Sequence, residues 1–596
     1  MAQTAKLLSG NEAIAYGAYK AGCRVATAYP GTPSTEILEN IARFKGSVYC
    51  EWSVNEKVAL EVAIGASLAG ARALAAMKHV GLNVASDPLM TMSYLGANGG
   101  LVIVTADDPG MHSSQNEQDN RFYARFAKVP LLEPSDSQEA YEMTIEAFGI
   151  SERFGAPVIL RMTTRTSHAS SIVDLGDLTP LPPTGRTYVK DVEKTVTVPT
   201  FARKMRARLE ERTKALSRFA ETCRFNRIEP GGLEIGIITS GVTYQYVKEV
   251  FPEASVLKLG FTNPLPRKLV KRFARGVRRL YVVEELDPFL EEQVRAMGLK
   301  VRSHKVPLNI GELNPFRLRQ LRAEIHGDAA PRVRSRGASG GLPSRPPVLC
   351  AGCGHRSVFY ALNRLKATVT GDIGCYSLGA FKPLDAMDTI VCMGASIGNA
   401  FGLEKAGYQG RVAAVIGDST FFHSGITGLL NIVYNRGAST VIVLDNRTTA
   451  MTGHQDHPGT GRTLMGEPTK EITVEQIARG VGVERVHVVD CYDLAEVERV
   501  LAEELDSPEP SVVVATRPCV TGARLVVERH FEIDFAACRG CRACLKLGCP
   551  ALELGDADPA KPRLRKVRIN PVLCAGCGMC SQVCVYYAVK GVEGVG

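Results

Sequence analysis

The stretch VAAVIGDSTFFHSGITGLLNIVYN, Val412–Asn435, decides the fold of this chain. It begins with a run that is apolar at every position up to Gly417, after which come a carboxylate, Asp418, and a helical pattern. A short run without polar alternation is typical of a parallel strand that helices cover on both faces. The stretch therefore predicts an α/β fold, with Asp418 just past the carboxyl end of a strand, where open α/β sheets bind ligands.

The same pattern recurs along most of the chain. Apolar runs of strand length alternate with helical segments, which predicts several doubly wound parallel sheets. Two stretches interrupt the pattern: residues 172–230 are Pro-rich and then helical and charged, and residues 328–347 are rich in Gly, Pro, Ser and Arg, as in a linker. The strand-like runs are GLVIVTADDPG (100–110), APVILRMTTR (156–165), LEIGIITSG (233–241), RRLYVVEEL (278–286), VAAVIGDS (412–419), STVIVLDN (439–446) and SVVVATRP (511–518).

These changes of pattern divide the chain into several domains, as its length of 596 residues requires. The predicted segments are an α/β domain at 1–175, a helical connection at 176–230, an α/β domain at 231–327, a linker at 328–347, an α/β domain at 348–525 and a cysteine-rich domain at 526–596.

Composition excludes several classes of protein. The net charge of +9 comes from runs such as ARKMRARLEERTK (202–214), where basic residues mixed with Glu predict a solvated helix face rather than a nucleic-acid site. No apolar run reaches the ~20 residues of a membrane span, and the N-terminus does not resemble a signal peptide. The seventeen cysteines lack the pattern of a disulfide framework, so we expect reduced thiols and a cytoplasmic protein.

Eight cysteines form two similar runs near the C-terminus. Each run contains Cys-x2-Cys-x2-Cys, which wraps a tight loop around one [4Fe-4S] cluster, while the fourth cysteine of each run crosses to the other cluster. Paired structural zinc sites are the alternative, although zinc favours separated cysteine pairs. The runs resemble those of bacterial two-cluster ferredoxins, but four residues precede the fourth cysteine of the first run and a valine, not proline, ends the second. The expected ligands are Cys538, Cys541, Cys544 and Cys584 for cluster 1, and Cys549, Cys574, Cys577 and Cys580 for cluster 2.

Polar residues follow two apolar runs at matching places. Gly417 and Asp418 end the first run, and Asn446 and then Thr448 end the second. Alone, they would also fit ordinary strand-end turns, but the interval resembles the thiamine diphosphate motif. That resemblance implies that Asp418, Asn446 and a carbonyl at Thr448 hold Mg²⁺ against a diphosphate, which suits the preference of Mg²⁺ for oxygen ligands and phosphates.

Three glycine-rich loops strengthen this interpretation. CAGCGH (350–355), GDIGCYSLG (371–379) and CMGASIG (392–398) resemble the cofactor loops of the 2-oxoacid:ferredoxin oxidoreductases. Glycine lets backbone amides approach a diphosphate closely. A third metal centre on Cys350, Cys353, Cys375 and Cys392 is the alternative. The resemblance implies cofactor contacts from Cys353, Gly354, His355, Gly374, Cys375, Gly394, Ala395, Gly417, Asp418, Ser419 and Asn446.

The N-terminal domain resembles the pyrimidine-binding domain of the same family. Its segment SVNEKVALEVAIGASLAG (53–70) implies that Glu56 contacts the aminopyrimidine ring, with Glu61 as the competing candidate. The loop AYPGTPSTEI, from Ala28, implies that Thr32 contacts the substrate carboxylate; simple helix entry, with Ser34 or Thr35 as N-cap, is the other interpretation.

Further segments of the family pattern supply pocket candidates. MKHVGLNVASDP brings Lys78, His79 and Asn83, with His79 assigned a catalytic role, and AMTGHQ brings His454. The loop ADDPGMHSSQNEQDNR, from Ala106, also matches the family, and residues 231–327 resemble its transketolase C-terminal-like domain. The domain at 348–525 would then bind the diphosphate and Mg²⁺.

The resemblance, closest to the arylpyruvate-oxidising members, implies an activity. An arylpyruvate such as indolepyruvate or phenylpyruvate would react with CoA to give an arylacetyl-CoA and CO₂, and electrons would pass singly through two [4Fe-4S] clusters to ferredoxin. A smaller β subunit is the expected partner, in a heterotetramer, without nucleic acid or membrane. The alternatives are the same chemistry on pyruvate or branched-chain 2-oxoacids, a non-oxidative decarboxylase with a vestigial tail, and an electron-transfer subunit without its own catalysis.

Overall fold

The computed structural model describes residues 5–331, 347–522, 529–558 and 561–593. The chain forms two compact units, residues 1–340 and 341–596. Most of the predicted linker at 328–347, and the domain boundary near 525, lie outside the described residues. The finer domain limits therefore stay predictions.

The first unit alternates strands with helices, as its apolar runs predict. Its strands are β1 (Ala5–Ser9), β2 (Val25–Ala28), β3 (Tyr49–Trp52), β4 (Ala73–Lys78), β5 (Leu101–Asp107), β6 (Leu131–Leu132), β7 (Val158–Thr163), β8 (Ser170–Asp174), β9 (Arg227–Glu229), β10 (Gly232–Ser240), β11 (Ala254–Leu259), β12 (Phe261–Asn263) and β13 (Arg279–Val282). Its helices are α1 (Gly10–Lys20), α2 (Thr35–Ile41), α3 (Glu56–Leu68), α4 (His79–Val84), α5 (Ser86–Leu95), α6 (Arg121–Ala127), α7 (Ser137–Phe154), α8 (Thr164–His168), α9 (Val192–Thr195), α10 (Pro199–Ala220), α11 (Thr243–Val250), α12 (Arg267–Arg275), α13 (Phe289–Arg295) and α14 (Pro315–His326).

A seven-stranded sheet forms the centre of this unit, in the order β12-β6-β7-β5-β4-β2-β3. All its neighbours pair in parallel except β12, which runs antiparallel to β6. The middle strands β4 and β5 are buried along their whole length, because helices cover both faces of the sheet. Their carboxyl ends carry Lys78 and Asp107, so this edge collects polar side chains.

The segment after residue 230 is joined to that sheet in two ways. Together with β9, which lies just before residue 230, it forms a four-stranded sheet in the order β13-β10-β11-β9, and its strand β12 completes the seven-stranded sheet. Arg121, 1% exposed, also donates a 2.6 Å hydrogen bond to Glu284 across the two sheets. A buried ion pair of this kind holds both segments in one arrangement, because either charge alone would be costly to bury.

The second unit also alternates strands with helices, and its last part consists of short strand pairs and short helices. Its strands are β14 (Thr368–Gly371), β15 (Thr389–Ile390), β16 (Val412–Gly417), β17 (Thr440–Asp445), β18 (Arg485–Asp490), β19 (Ser511–Thr516), β20 (Arg529–Ile533), β21 (Leu552–Asp558), β22 (Lys561–Ile569) and β23 (Val589–Glu593). Its helices are α15 (His355–Leu365), α16 (Ala395–Lys405), α17 (Asp418–Thr420), α18 (Ile426–Tyr434), α19 (Val474–Gly480), α20 (Leu494–Glu504) and α21 (Met579–Val583), with 3-10 turns at Cys375–Ala380, Ala450–Thr452 and Ala543–Leu547 and a π-helical turn at Phe421–Gly425.

Six parallel strands build the sheet that positions the predicted diphosphate site, in the order β15-β14-β16-β17-β19-β18. Its two faces pack into separate apolar cores. On β16, Ala413 and Val415 pack with α15 and α20, whereas Ala414 and Ile416 pack with α16 and α18. Alternate burial against helices on both sides is the doubly wound arrangement, so the predicted fold class is confirmed.

The C-terminal domain consists of two antiparallel strand pairs, β20-β23 and β21-β22, with the short helices at Ala543–Leu547 and Met579–Val583. Small apolar clusters fill it, and cysteine side chains are part of each cluster. This confirms the predicted ferredoxin-like domain at the end of an α/β chain.

Within the described residues, no helix is both long and apolar enough to cross a bilayer. All seventeen cysteines lie in the described ranges, and none of them is in a disulfide.

Helix α18 offers a matched test of this packing. Leu429 is completely buried, whereas its neighbour Leu430 is 50% exposed. We expect Leu429→Ala to destabilise the domain around β16 by about 2–5 kcal/mol, because it removes buried methyl groups and leaves a cavity. Leu430→Ala should stay within about 0.5 kcal/mol. Scanning calorimetry of both variants checks this, and equal shifts in their melting temperatures would contradict the assigned orientation of the helix.

Candidate active site

Asp418 lies at the carboxyl end of β16 and is buried. Its carboxylate accepts hydrogen bonds from the amides of Ser419 (2.8 Å) and Arg447 (2.8 Å), and His457 Nε2 lies 3.1 Å from its Oδ2. Burial alone would raise the pKa of Asp418, but the hydrogen bond with His457 and the charge of that ring hold it below its usual value. The site therefore contains an ionised carboxylate.

Asn446 follows the end of β17, beside β16 in the sheet, as the sequence predicts. Its Oδ1 accepts a hydrogen bond from the amide of Thr448 (3.2 Å), so the turn is fixed by its own asparagine. Asp445, the last residue of β17, has its pKa raised to about 6 by burial and by the charge of Asp418. Two carboxylates, an amide oxygen and a turn carbonyl thus meet at one edge of the sheet.

The loop before α16 brings a second set of backbone amides to this edge. Gly394 has a left-handed φ of 85°, and a side chain there would lie 2.4 Å from Ser424 Cβ. Only glycine suits both conditions. Buried Asp372 holds this loop by accepting hydrogen bonds from the amides of Gly394 (2.9 Å) and Ser396 (3.1 Å), beside Ala395. Sequence reasoning missed Asp372, although it lies in the quoted loop GDIGCYSLG.

Tyr376 connects two of the glycine-rich loops. Its hydroxyl donates to the carbonyl of Ile373 (2.9 Å) and lies 3.3 Å from Thr420 Oγ1. Its ring occupies the space that side chains at Gly374 and Gly417 would need. These glycines therefore also make room for a tyrosine that ties the turn after β16 to the turn after β14.

His355 begins α15 and is buried near Asp418. Burial lowers the pKa of His355 to about 4, so the ring is neutral at pH 7. Cys353 is close by, and burial raises the pKa of its thiol to about 12. Gly354 is confined by Cys491, since a Cβ would lie 2.9 Å from that side chain. Cys350 and Cys375 are neighbours of Cys353, whereas Cys392 is exposed, and in the described part of the chain these four thiols do not surround a single metal position.

The structure places against Asp418 a histidine that the sequence did not single out. His454, the candidate for the substrate pocket, is exposed, and its Nε2 lies 3.4 Å from Thr521 Oγ1, so its role stays a prediction. His457, three residues later, is buried and contacts Asp418. His454 and His457 follow the same turn, and the path of the loop decides which of the two faces inward.

The residues at this edge have the chemistry that Mg²⁺ and a diphosphate need. Asp418 is ionised and Asn446 offers an amide oxygen, while Asp445 remains close enough to Asp418 for their charges to repel. A divalent cation would add to the compensation that the Arg447 guanidinium, 3.2 Å from Asp445 Oδ2, already gives. The oxygen donors therefore fit Mg²⁺, which in turn binds phosphates.

The eight tail cysteines gather into the two predicted sets. Cys538, Cys541, Cys544 and Cys584 line one small cavity, and burial together with neighbouring thiols raises the pKa of Cys544 to about 11. Burial also raises the pKa of Cys577 and Cys580, and the thiols of Cys549 and Cys574 add to both shifts. Thiols gathered in this way lose their protons when they bind a shared cationic centre, so each set fits an iron–sulfur cluster.

The second cysteine set packs against a predicted cofactor loop within the same unit. A side chain at Gly352 would lie 2.6 Å from Ala575 Cβ, so the loop 350–355 contacts the loop that carries Cys574 and Cys577. Tyr492 fixes this contact, because its hydroxyl donates to the carbonyl of Gly352 (2.7 Å) and its own carbonyl accepts from Gln582 (2.7 Å). The strand-end site and the cysteine domain are thus contiguous.

In the first unit, the two candidate glutamates differ clearly. Glu56 is the first residue of α3 and is buried, and Asn55 caps that helix by accepting from the amide of Val58 (2.9 Å). Glu61, one turn later, is exposed and pairs with Lys57. A side chain at Gly81 would lie 2.5 Å from Glu56 Oε1, so α4 approaches the carboxylate closely. This placement favours Glu56, whose role stays a prediction.

The loop with Thr32 is braced by its neighbours. Ser34 occupies the N-cap position of α2 but makes no side-chain cap; its hydroxyl donates to the carbonyl of Gly31 (2.8 Å), and Thr35 Oγ1 accepts from the Gly31 amide (3.0 Å). The predicted capping role is therefore replaced by support of the loop. A Cβ at Gly31 would lie 3.0 Å from Lys78 Cβ, so the loop contacts that lysine.

Lys78 and His79 lie at the carboxyl end of β4, and both are buried. Lys78 Nζ donates to the carbonyl of Ser113 (2.6 Å), and burial lowers its pKa to about 8. His79 Nε2 is 3.2 Å from the carbonyl of Asn116, while its Nδ1 has no partner among the described residues; burial lowers its pKa to about 4. Asn83 is exposed and accepts from Tyr123, so it faces away from this group.

Comparisons with known proteins agree with this geometry. Three family models match: "Pyruvate flavodoxin/ferredoxin oxidoreductase, thiamine diP-bdg" at residues 16–205, "Thiamine pyrophosphate enzyme, C-terminal TPP binding domain" at 372–515 and "4Fe-4S dicluster domain" at 530–585. The indolepyruvate oxidoreductase subunits IorA of Archaeoglobus fulgidus and Pyrococcus horikoshii are 43% and 41% identical, each over 98% of this chain and 97% of their own. A solved 2-oxoglutarate:ferredoxin oxidoreductase from Magnetococcus marinus aligns with 54% of this chain and 66% of its own, at 18% identity and a TM-score of 0.47.

The matched domains define a thiamine diphosphate-dependent oxidoreductase that carries iron–sulfur clusters. Identity above 40% extends over nearly the whole length of both relatives. The chain therefore belongs to the 2-oxoacid:ferredoxin oxidoreductases, in the family of indolepyruvate oxidoreductase subunits IorA.

Lys78 makes the activity dependent on pH in a predictable direction. Its pKa of about 8 means that the ammonium is present below pH 8 and is lost as the pH rises. If it attracts a substrate carboxylate, kcat/KM for the 2-oxoacid should fall above pH 8, and Lys78→Arg should move that fall upward because guanidinium keeps its charge.

The quantity to measure is kcat/KM for the 2-oxoacid at saturating CoA. It reflects the protonation state of the free enzyme and the steps up to the release of CO₂. It therefore does not respond to ionisation of the CoA thiol. If kcat/KM falls over the same alkaline pH range in the wild type and in Lys78→Arg, Lys78 is excluded as the titrating group.

Proposed function

We propose that this chain is the catalytic subunit of an enzyme that oxidatively decarboxylates arylpyruvates, with indolepyruvate and phenylpyruvate as substrates. CoA accepts the acyl group, and ferredoxin accepts the electrons. The reaction breaks the bond between the carbonyl carbon and the carboxylate, which leaves as CO₂. A carbon–sulfur bond forms to CoA, the thiol proton is released, and two ferredoxins each take one electron.

One observation carries the oxidative part of this proposal. The loop 350–355, at the edge of the six-stranded sheet that bears Asp418, packs directly on the loop of Cys574 and Cys577. A vestigial tail would not need to pack on the cofactor loops. An electron-transfer subunit, conversely, would not need the ionised Asp418 with its Asn446 turn or the buried Glu56.

The chain supplies defined positions for the cofactor. Asp418 and Asn446, with the carbonyl of Thr448, would hold Mg²⁺, and the loops at Gly394, Ala395, Gly417 and Ser419 would surround the diphosphate that this ion binds. Cys353, Gly354, His355, Gly374 and Cys375 would line the same cofactor loops. When bound, thiamine diphosphate supplies the nucleophile and the electron sink of the reaction.

The polar groups of the first unit have complementary roles. The Glu56 carboxyl would share a proton with the aminopyrimidine ring. Thr32 would donate to the substrate carboxylate, with the Lys78 ammonium adding attraction. Buried, neutral His79 would offer Nδ1 as a hydrogen-bond acceptor rather than a charge.

The two cysteine sets would carry the electrons away. Cys549, Cys574, Cys577 and Cys580 would hold the [4Fe-4S] cluster nearer the cofactor loops, and Cys538, Cys541, Cys544 and Cys584 the outer one. Because a cluster of this type passes electrons singly, the two electrons from each substrate leave in separate steps.

Partners and substrate follow from the relatives' names, which identify a subunit and indolepyruvate. A smaller β subunit would complete a heterotetramer. A cytoplasmic location agrees with seventeen cysteines outside any disulfide. Pyruvate or a branched-chain 2-oxoacid is the alternative substrate of the same site.

The test is anaerobic dye reduction by the chain co-purified with its small subunit, supplied with thiamine diphosphate, Mg²⁺ and CoA. We expect viologen reduction and arylacetyl-CoA with indolepyruvate or phenylpyruvate, and little with pyruvate or branched-chain acids. Reduction by pyruvate alone would keep the mechanism and change the substrate. No reduction with any acid, despite full iron content, would refute the catalytic role.

A matched pair of variants tests the assigned glutamate. Glu56→Gln should lower turnover by about 10²–10⁴-fold, the usual contribution of a positioned proton-transfer group. Glu61→Gln, one helical turn away on the exposed face, should leave turnover unchanged. Both should keep the visible absorbance of the clusters, and equal activity in the two variants would remove Glu56 from the site.

A further inference from the structure

The outer face of the cysteine domain exposes a set of large apolar side chains. Val585, Tyr586 and Tyr587 directly follow Cys584 and are 71%, 47% and 78% exposed. Phe535, three residues before Cys538, is also exposed. Neighbouring exposed aromatics mark interaction sites more often than ordinary surface, because water is released when a partner covers them.

Two cations flank the same place. Arg539 and Arg542 are exposed, stand on either side of exposed Cys541 and line the cavity of cysteine set 1 together with Tyr586. Within the described ranges, neither guanidinium forms an ion pair with a carboxylate. We define the exit face as Arg539, Arg542 and Tyr586, which line this cavity, with exposed Val585 and Tyr587 on either side of Tyr586 in the sequence.

The position of this face fits the direction of electron flow. Cysteine set 2 packs against the cofactor loop, whereas set 1 includes Cys541 at the surface. Set 2 is therefore the inner centre and set 1 the outer one. An electron carrier must approach the outer centre, because electron transfer requires close approach, and the exit face surrounds it.

We infer that the exit face is the docking site of a small acidic one-electron iron–sulfur carrier. The inference rests on the proposed function and adds to it the place of docking. Unpaired guanidinium groups attract an acidic partner and orient it, while the tyrosines supply the apolar centre of the contact. One electron passes at each encounter, from the reduced outer cluster to the oxidised carrier, so each substrate molecule needs two encounters.

The double variant Arg539→Glu/Arg542→Glu tests this in the complete complex. At low salt, kcat/KM for an acidic ferredoxin should fall about 10-fold or more, because like charges now face the carrier. The difference should shrink at high salt, where surface charges are screened. Reduction of methyl viologen with the same 2-oxoacid should be unchanged, since a small dye needs no protein docking.

The control is Lys366→Glu/Arg436→Glu, two exposed cations outside the cysteine domain with the same change in net charge. An equal loss in the control would show a general charge effect and overturn the docking site, as would an unchanged kcat/KM for ferredoxin. Loss of the small subunit from the exit-face variant would assign the face to that subunit instead. Absence of viologen reduction in the wild type would refute the proposed function, not the docking site.

A second observation concerns Arg356, which is 1% exposed at the inner cysteine set. Its guanidinium donates to the carbonyls of Leu349, Cys350 (3.1 Å) and Leu547 (3.0 Å). These are uncharged acceptors, and no carboxylate pairs with Arg356 in the described part of the chain. A Cβ on Gly548 would lie 3.3 Å from its Nη1, next to Cys549.

A buried cation needs a compensating anion, because carbonyl groups alone do not balance a charge removed from water. The groups near Arg356 that can become anionic are the thiols of Cys549, Cys353, Cys350 and Cys577. Cys549 and Cys577 would do so as ligands of the inner cluster. A four-thiolate cluster carries net negative charge, and that charge increases on reduction.

The geometry points to Arg356 as the counter-charge of the inner cluster. Arg356 keeps the reduction potential of that cluster high enough for the cofactor to reduce it. Its charge favours the reduced form, and its three carbonyl bonds connect the cofactor loop to the cluster loop. This rests on the proposed cluster ligands, and it can be measured without substrate.

Arg356→Gln and Arg356→Lys form the matched pair, studied by electron paramagnetic resonance during redox titration of the resting protein. Arg356→Gln should lower the potential of one cluster and leave the other unchanged, whereas Arg356→Lys should stay near the wild type. Unchanged potentials in Arg356→Gln, or equal loss of iron from both variants, would show a purely structural role and overturn the assignment.

Discussion

The active-site half of this protein depends on one buried charge, the carboxylate of Asp418. Two backbone amides and His457 compensate it, and these groups come from three places: the turn after β16, the turn after β17 and the loop beyond it. Compensating this charge therefore fixes three loops at once. Asp445 lies beside it and pairs with the Arg447 guanidinium (3.2 Å), so the same interaction that shapes the site also gathers the oxygen atoms that a metal ion would use.

Much of this could be predicted because the chemistry is local in sequence. Cysteines separated by two residues can only surround a compact centre, so the two sets at the C-terminus were identifiable from spacing. The fold brings the expected members together. Asp418 and Asn446 were identifiable because each follows an apolar strand, and neighbouring parallel strands end at the same edge. Glu56 was distinguishable from Glu61 only by burial, which the structure supplies.

The features of the site that the sequence did not reveal share one cause. His454 and His457 follow one turn, and Asn83 shares a short helix with His79, so spacing alone does not tell which side chain faces inward. Asp372 was overlooked because a carboxylate that binds only backbone amides leaves no pattern of charges in the sequence. Tyr376 is similar, since its role becomes visible only when two glycine-rich loops meet around its ring. Side-chain direction within loops is decided by tertiary contacts.

The short strand β12 has a consequence for how such a chain can be divided. It belongs by sequence to the segment after residue 230 but completes the seven-stranded sheet of the N-terminal segment by pairing with β6. A cut near residue 230 would leave β6 as an open edge, ready to pair with other chains and aggregate, and would strand Arg121 without Glu284. A truncation or recombination that preserves the fold must therefore keep residues 1–340 as one unit, whereas among the described residues no sheet is shared by the two compact units.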